Sequence, residues 1–175
     1  MENNLVYACK NSGFHQHYGK ENTIRNNIFA ANIKGQLQAT RVEKHLSFNF
    51  TNNIIWFNSG SLLVSRWSQV NIYSDNNSYW DARTKDVRFD KVSFKEWQAS
   101  GKDLNSVIAS PEFANPDGFD FRIKNKALMK KIGFKPFDYS RAGVYGDEKW
   151  KKLSEFDPAV AKKYDEAIIS MVKYQ

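Results

Sequence analysis

The stretch Arg25-Asn26-Asn27-Ile28-Phe29-Ala30-Ala31 (RNNIFAA) joins a pair of asparagines to a short apolar run. The same arrangement opens the chain as NNLVYA from Asn3, returns as NNIIWF from Asn52 and recurs in weaker form as NNSYWD from Asn76. The pairs are separated by 23, 26 and 24 residues. A period in this range is typical of solenoid proteins, in which each repeat forms one turn of a stack.

Two solenoid architectures in this range use a recurrent asparagine, the leucine-rich repeat and the parallel β-helix. A leucine-rich repeat needs a leucine skeleton around each asparagine, whereas HLSFNFTNN (45–53) and VNIYSDNN (70–77) alternate apolar and polar residues as strands do. Asparagine tolerates a left-handed backbone, and its amide can bond neighbouring backbone where one strand bends into the next. The pattern therefore predicts an all-β solenoid, a parallel β-helix, with asparagine amides stacked in the bends at about 4.8 Å.

The repeats also predict how the chain is organised. About four coils fit into residues 1–92, a stack roughly 19 Å tall. Residues 93–146 are interpreted as a closing cap with loops and a final strand. Residues 147–175 are interpreted as a helical tail, with Asp157 as N-cap, Pro158 in the first turn and an amphipathic helix that packs on the solenoid.

Composition and charge exclude several classes of protein. No run approaches the roughly 18 apolar residues needed to span a bilayer, and the first residues do not resemble a signal peptide. The net charge of +7 is placed mainly in residues 121–175, which carry 13 Lys and Arg against 7 Asp and Glu. No nucleic-acid-binding motif accompanies these cations, so a solvated helical surface is favoured over nucleic-acid contact. We expect no membrane partner and no nucleic-acid partner.

Four segments carry a resemblance to a known family: GFHQHYGKENTIRNNIFAAN (13–32), NFTNNIIWFNSG (49–60), SFKEWQASGKDLNSV (93–107) and PEFANPDGFDFRIKNKA (111–127). Together they resemble the C-terminal part of right-handed parallel β-helix proteins of the pectin-lyase-like superfamily, in particular secreted bacterial polysaccharide-degrading enzymes. The resemblance implies a polysaccharide or oligosaccharide partner and an extracellular or periplasmic parent protein. It also implies that the chain begins within the solenoid, so we expect self-association through an uncapped N-terminal coil.

In this superfamily the substrate lies across one sheet of stacked strands, as the resemblance implies. The strands that follow the corner glycines are the candidates here, and aligning Phe14, Leu37 and Leu62 as inward residues directs His15, Gln38 and Leu63 outward. His17, Thr40 and Ser65 form the next outward row. The opposite parity, which would bury both histidines, remains an alternative. The predicted substrate-binding residues are His15, His17, Tyr18, Gln38, Arg41, Arg66 and Trp67.

The chemistry of this face is left open by the residues. His15 and His17, roughly 7 Å apart on one side of a strand, suit sugar contacts, with acid–base or metal-binding roles as alternatives. A glycosidase needs two carboxyl groups roughly 5 to 9.5 Å apart, but Asp86 and Asp90 are separated by roughly 13 Å along a strand. A lyase would need a group to hold a uronate carboxylate, which Arg41 and Arg66 could supply.

We therefore assign no catalytic residue, no metal and no cofactor. The two functions that remain are part of a glycoside hydrolase or polysaccharide lyase, and a non-catalytic carbohydrate-binding or adhesive module.

Overall fold

The computed structural model describes residues 1–173, which form a parallel β-solenoid followed by helices. This confirms the predicted all-β solenoid with a helical C-terminal part. The chain forms two compact units, residues 1–136 and the residues from 137 onward. The solenoid and the segment that follows it both belong to the first unit.

Each complete coil contributes one strand to each of three parallel sheets. Sheet I contains, in spatial order, β1 (Leu5–Tyr7), β4 (Ile28–Ala30), β7 (Ile54–Phe57), β10 (Ser78–Asp81) and β13 (Val107–Ile108). Sheet II contains β2 (Ser12–Gln16), β5 (Gly35–Ala39) and β8 (Ser61–Ser65). Sheet III contains β3 (Asn22–Arg25), β6 (Phe48–Thr51) and β9 (Ile72–Asp75).

The solenoid has about three coils, slightly fewer than the predicted four. Strand β10 begins a fourth coil, but the chain then forms the antiparallel strands β11 (Arg88–Phe89) and β12 (Val92–Ser93). Helix α1 (Phe94–Ala99) follows, and its N-cap Ser93 forms a capping box with Glu96. The fourth coil is thus replaced by a short hairpin and a helix before β13 returns to sheet I.

The two asparagines of each pair have different structural roles. The first asparagine always has a left-handed backbone, with φ between 54° and 57° at Asn3, Asn26, Asn52 and Asn76. Such values are costly for most residues but accessible to asparagine. The first asparagine therefore makes the sharp bend between sheet III and sheet I.

The second asparagine of each pair forms a buried ladder of amides between coils. The Nδ2 atoms of Asn4, Asn27 and Asn53 donate to the Oδ1 atoms of Asn27, Asn53 and Asn77, over 2.9, 3.0 and 3.2 Å. The same Oδ1 atoms accept the backbone N–H of the asparagine on the preceding coil. Asn27, Asn53 and Asn77 are fully buried, so water cannot hydrogen-bond to their amides. The ladder provides the hydrogen-bond partners that these buried groups need. The predicted stacking of the asparagines is confirmed.

Asp103 and Ser106 end the ladder where the asparagines stop. The Ser106 hydroxyl accepts the backbone N–H of Asn77, in the place of a further asparagine. The carboxylate of Asp103 is 1% exposed. It accepts hydrogen bonds from five side chains, three on β9, β10 and α1 and two in loops: Ser74, Tyr79, Trp97, Asn77 and Ser106. Burial, together with the nearby Asp103 carboxylate, raises the pKa of the Tyr79 phenol well above its ordinary value.

The outer face of sheet I is apolar as well as its inner face. Phe29 and Ile55 point into the solenoid core, while their neighbours Ile28 and Ile54 are also buried, at 2% and 0% exposure. Residues 109–136, which we call the return segment, cover this outer face. The Phe113 ring lies 6.1 Å from that of Trp56, on the third coil. The double-sided burial explains why the runs after the first three asparagine pairs are apolar at every position.

The return segment contains a hairpin and a helix that run back along the solenoid. It comprises β14 (Phe113–Asn115), a 3₁₀ turn (Pro116–Gly118), β15 (Asp120–Ile123) and α2 (Lys126–Ile132). The ring of Phe121 lies 5.4 Å from that of Tyr7 on the first coil. The return segment therefore extends from the third coil back to the first.

The first asparagines of the pairs also hold the return segment in place. Asn52 Nδ2 donates to the carbonyl of Ile132 over 2.6 Å, just before the left-handed Gly133 that ends α2. Asn26 exchanges two hydrogen bonds of 2.7 Å with the backbone N–H and carbonyl of Lys135. One asparagine in each of these pairs thus stacks the coils, and the other binds the segment that covers them.

The second compact unit contains α3 (Glu148–Leu153) and α4 (Pro158–Lys173). The Asp157 side chain accepts the backbone N–H of Ala159, which confirms the predicted start of α4. Along α4, Ile168 is buried, whereas Val160, Tyr164 and Met171 are exposed.

We expect Asn53→Ala to lower the free energy of unfolding by about 1 to 3 kcal/mol, because it leaves a buried Asn27 amide and its backbone N–H without an acceptor. Urea denaturation measures this. Asn49→Ala, on the outward side of sheet III, is the matched control and should change it by less than about 0.5 kcal/mol. Equal effects of the two substitutions would contradict the ladder as a stabilising element.

We expect Asp103→Asn to destabilise the protein by about 3 kcal/mol or more, since an NH₂ group would face side chains that already donate. Asp117→Asn on an exposed turn is the control, and urea denaturation again gives the comparison. A stable Asp103→Asn variant would show that the donors can turn away.

Candidate functional site

The outer face of sheet II carries the residues that the sequence selected. Along β2, Phe14 and Gln16 are buried while His15 and His17 are exposed, so the histidines point outward. The register places His15 beside Gln38 and Phe14 beside Leu37. The predicted parity of this strand is confirmed, and the alternative with buried histidines is wrong.

The third coil is displaced by one residue from the predicted alignment. Leu63, not Leu62, lies beside Leu37, and Val64 lies beside Gln38. The cause is Gly60, which precedes the strand with φ of 64° and packs so closely that a Cβ would lie 2.4 Å from the carbonyl oxygen of Ile33. Gly60 belongs to the turn, so the strand starts one residue later than the glycine spacing suggests.

Two imidazoles share one hydroxyl on this face. His15 Nε2 lies 2.9 Å from Thr40 Oγ1, and His17 Nδ1 lies 2.8 Å from the same atom. A threonine hydroxyl has a single proton, so it can donate to only one imidazole and must accept from the other when both bonds form. Thr40 therefore couples the tautomers of the two histidines and fixes their ring positions.

Tyr18, Arg41 and Glu43 continue the face beyond the strand ends. The Arg41 guanidinium carbon lies 4.1 Å from the centroid of the Tyr18 ring, a cation–π distance. Arg41 Nε donates to Glu43 Oε1 over 2.8 Å, which holds the guanidinium flat against the ring. The Tyr18 side chain is still 60% exposed. Its other face and its hydroxyl are thus accessible to a ligand.

We call His15, His17, Tyr18, Thr40, Arg41 and Glu43 the sheet II cluster. The sequence identified four of these residues as ligand contacts but selected neither Thr40 nor Glu43 for that role. The available signal for Glu43 was its spacing of two from Arg41, which puts alternate side chains on the same side of an extended segment.

Gln38 and Arg66 lie beside the sheet II cluster. Gln38 lines an open depression of about 580 Å³ together with His15, Lys34 and Val64, and its Oε1 accepts from the Ser12 hydroxyl. Arg66 N donates to the Ala39 carbonyl, just as Thr40 N donates to that of Gln16. Arg66 consequently occupies the position beside Thr40 on the next coil, where its side chain is exposed.

Trp67 does not contribute to this face, and its selection as a substrate contact is wrong. Its ring is 2% exposed and packs against Phe14, Phe48 and Phe50 in the solenoid core. The one-residue displacement of the third coil explains the error, because it moves Arg66 to the outward position and turns Trp67 inward.

The acidic residues near the last coil are held by other side chains. Val87 and Phe89 are buried, and Asp86 forms an ion pair with Arg88. Asp81 receives two hydrogen bonds from the guanidinium of Arg83. Within residues 1–173, no three His, Cys, Asp or Glu side chains are grouped as metal ligands would be.

The sheet II cluster and the neighbouring Gln38 carry groups that can form hydrogen bonds with sugar hydroxyls. Imidazole, amide and hydroxyl side chains can both donate and accept hydrogen bonds, and Tyr18 adds a flat ring. His15 and Gln38 lie on paired strands of sheet II, and the members of the cluster other than His15 lie in the turns that follow these strands. These groups are of the kind that hydrogen-bond to hydroxyl-rich ligands.

Comparisons of the chain with protein-family models, with curated proteins and with solved structures gave no match. None of the helices in the described part of the chain is long and apolar enough to cross a membrane.

We expect Thr40→Val to release both imidazoles while leaving the free energy of unfolding within about 0.5 kcal/mol, because the site is on the surface. Nitrogen-15 NMR of the histidine side chains should show fixed tautomers in the parent protein and averaged ones in the variant. Thr23→Val on sheet III is the control. Unchanged imidazole spectra in Thr40→Val would contradict the shared hydroxyl.

Proposed function

We propose that the sheet II cluster binds a polysaccharide or oligosaccharide, and that the chain is the C-terminal portion of a carbohydrate-active β-helix protein of the pectin-lyase-like kind. The observation that carries the proposal is the exposed Tyr18 ring, held by Arg41, beside the two histidines that share Thr40. A parallel β-solenoid with an outward polar sheet is also the support on which such proteins carry their ligands.

The arrangement suits an extended ligand better than a compact one. The depression beside His15 and Gln38 is open, so it does not enclose a small molecule. Successive coils repeat outward side chains at about 4.8 Å, which gives several similar contacts along the solenoid axis. A chain of sugars can use such a row, with one ring stacked on Tyr18 and hydroxyls bonded to the imidazoles and to Gln38.

Two forms of this function remain as proposals. In the first, the parent protein is a secreted or periplasmic bacterial glycoside hydrolase or polysaccharide lyase, and the sheet II cluster contacts its substrate. In the second, the chain is a non-catalytic binding or adhesive module. Both forms use the same face, and they differ in whether a bound polysaccharide is cleaved.

Binding can be tested with an array of plant and host glycans, followed by titration calorimetry of the best oligosaccharide. We expect Tyr18→Ala and His17→Ala each to weaken the affinity by about tenfold, the equivalent of about 1.4 kcal/mol. Tyr73→Ala is the matched control, because Tyr73 is 52% exposed on sheet III and should not affect binding.

Cleavage is measured on the same glycans by the release of reducing ends and of unsaturated products. Product formation that is lost in His17→Ala supports the enzymatic form, and binding without product supports the module. Absence of binding to any glycan, or equal loss in Tyr73→Ala, would overturn the proposal.

A further inference from the structure

The positive charge of the chain is concentrated in a short part of the return segment. Residues 121–136 contain six Lys and Arg and no Asp or Glu. Residues 1–120 carry 13 cations against 12 acids, and residues 137–175 carry seven of each. Residues 121–136 thus account for +6 of the net charge of +7, and residues 137–175 are neutral.

The fold places four of these cations on one exposed surface, which we call the lysine stripe: Lys126, Lys130, Lys131 and Lys135. Helix α2 buries Leu128 and Ile132, at 4% and 0% exposure, so its lysines lie on the solvent side. Lys126 and Lys130 are four residues apart and therefore neighbours on the helix surface. The backbone of Lys135 is fixed by its two hydrogen bonds with Asn26.

No ion pair neutralises the lysine stripe within the part of the chain that the structure describes. Of the ion pairs in residues 1–173, five involve an arginine and three involve Lys20, Lys151 or Lys162, and none involves a stripe lysine. Most of the arginines pair with an acid two residues away or on the adjacent coil, whereas the stripe lysines form no ion pair among the described residues. Like charges at neighbouring helix positions repel, so this surface favours binding of a polyanion.

The surroundings of the stripe favour a polysaccharide over other polyanions. Proteins that bind single-stranded nucleic acids stack bases on exposed aromatic rings. In the return segment Phe113, Phe121 and Phe134 are buried and Phe119 is partly buried, so none of its rings is fully exposed. Helices that lie on membranes insert an apolar face, and α2 uses its apolar face against the solenoid. An acidic polysaccharide requires only a row of fixed cations.

We propose that the lysine stripe binds an acidic polysaccharide, through its carboxylate or sulfate groups, as a second anchoring surface separate from the sheet II cluster. The choice of a polysaccharide rests on the proposed function. The surface itself does not, because it lies on the return segment, which packs on sheet I and its bends. A polymer held here would raise the local concentration of saccharide at the cluster.

The test compares two variants that lose the same charge. Lys126→Gln/Lys130→Gln/Lys131→Gln removes three lysines from α2, and Lys149→Gln/Lys151→Gln/Lys152→Gln removes three from α3. Binding to immobilised polygalacturonate and dextran sulfate is measured at low and high salt, with neutral dextran as the reference. We expect the α2 variant to lose about tenfold or more in affinity for at least one acidic polymer, and the α3 variant to lose less than about twofold.

The outcomes separate this proposal from the one for the sheet II cluster. In a Tyr18→Ala background the α2 variant should still bind the acidic polymers about tenfold more weakly than the α3 variant, so failure of the cluster does not remove the stripe. The two polymers distinguish carboxylate from sulfate. Equal losses in the α2 and α3 variants would overturn the proposal, as would binding insensitive to salt. Tighter binding of duplex DNA, or of vesicles with anionic lipid, with the same dependence on α2 would reassign the stripe to that partner and overturn the polysaccharide.

Discussion

The buried stack of asparagine amides is the constraint on which the rest of the molecule depends. Each Oδ1 accepts both a side-chain and a backbone N–H from the preceding coil, so the spacing of the coils and the position of every bend are fixed together. Removing these groups from water is tolerated only because every one finds a partner. Asp103, with five donors around it, satisfies the last member of the stack where the repeat ends. The sheets, and the face that carries Tyr18, inherit their geometry from this stack.

The sequence predicted the fold because its signal was repeated. Asn27 and Asn53 occur in the same local context, and a period of about 24 residues leaves few architectures. The outward direction of His15 and His17 followed from strand alternation for the same reason. The predicted alignment of the third coil was wrong by one residue, because Gly60 lies in the turn before the strand. The residue that pairs with Gly35 is Ser61. A glycine signals a bend, but not how many residues the bend contains.

The return segment shows where a local pattern gives no information. The contacts of Asn26 with Lys135 and of Asn52 with Ile132 join residues far apart in the chain, and no periodicity connects them. The contact between Arg41 and Tyr18 also depends on the exact turn between coils. The apolar residues Ile28 and Ile54 lie on the outer face of sheet I, and the sequence did not predict that a further layer covers them. A run that is apolar on both faces of a strand is thus a sign of a further layer.

The contact between Asn26 and Lys135 spans 109 residues, which has a consequence for the order in which the protein folds. Synthesis delivers the first coils long before the segment that covers their outer face, and contacts of high sequence separation form slowly. Until residues 109–136 have left the ribosome, Ile28, Ile54 and Trp56 remain as an uncovered apolar surface on a row of parallel strands. Nascent chains with such surfaces are substrates for chaperones. The return segment thus covers the outer face of sheet I and is also synthesised after all the coils that it covers.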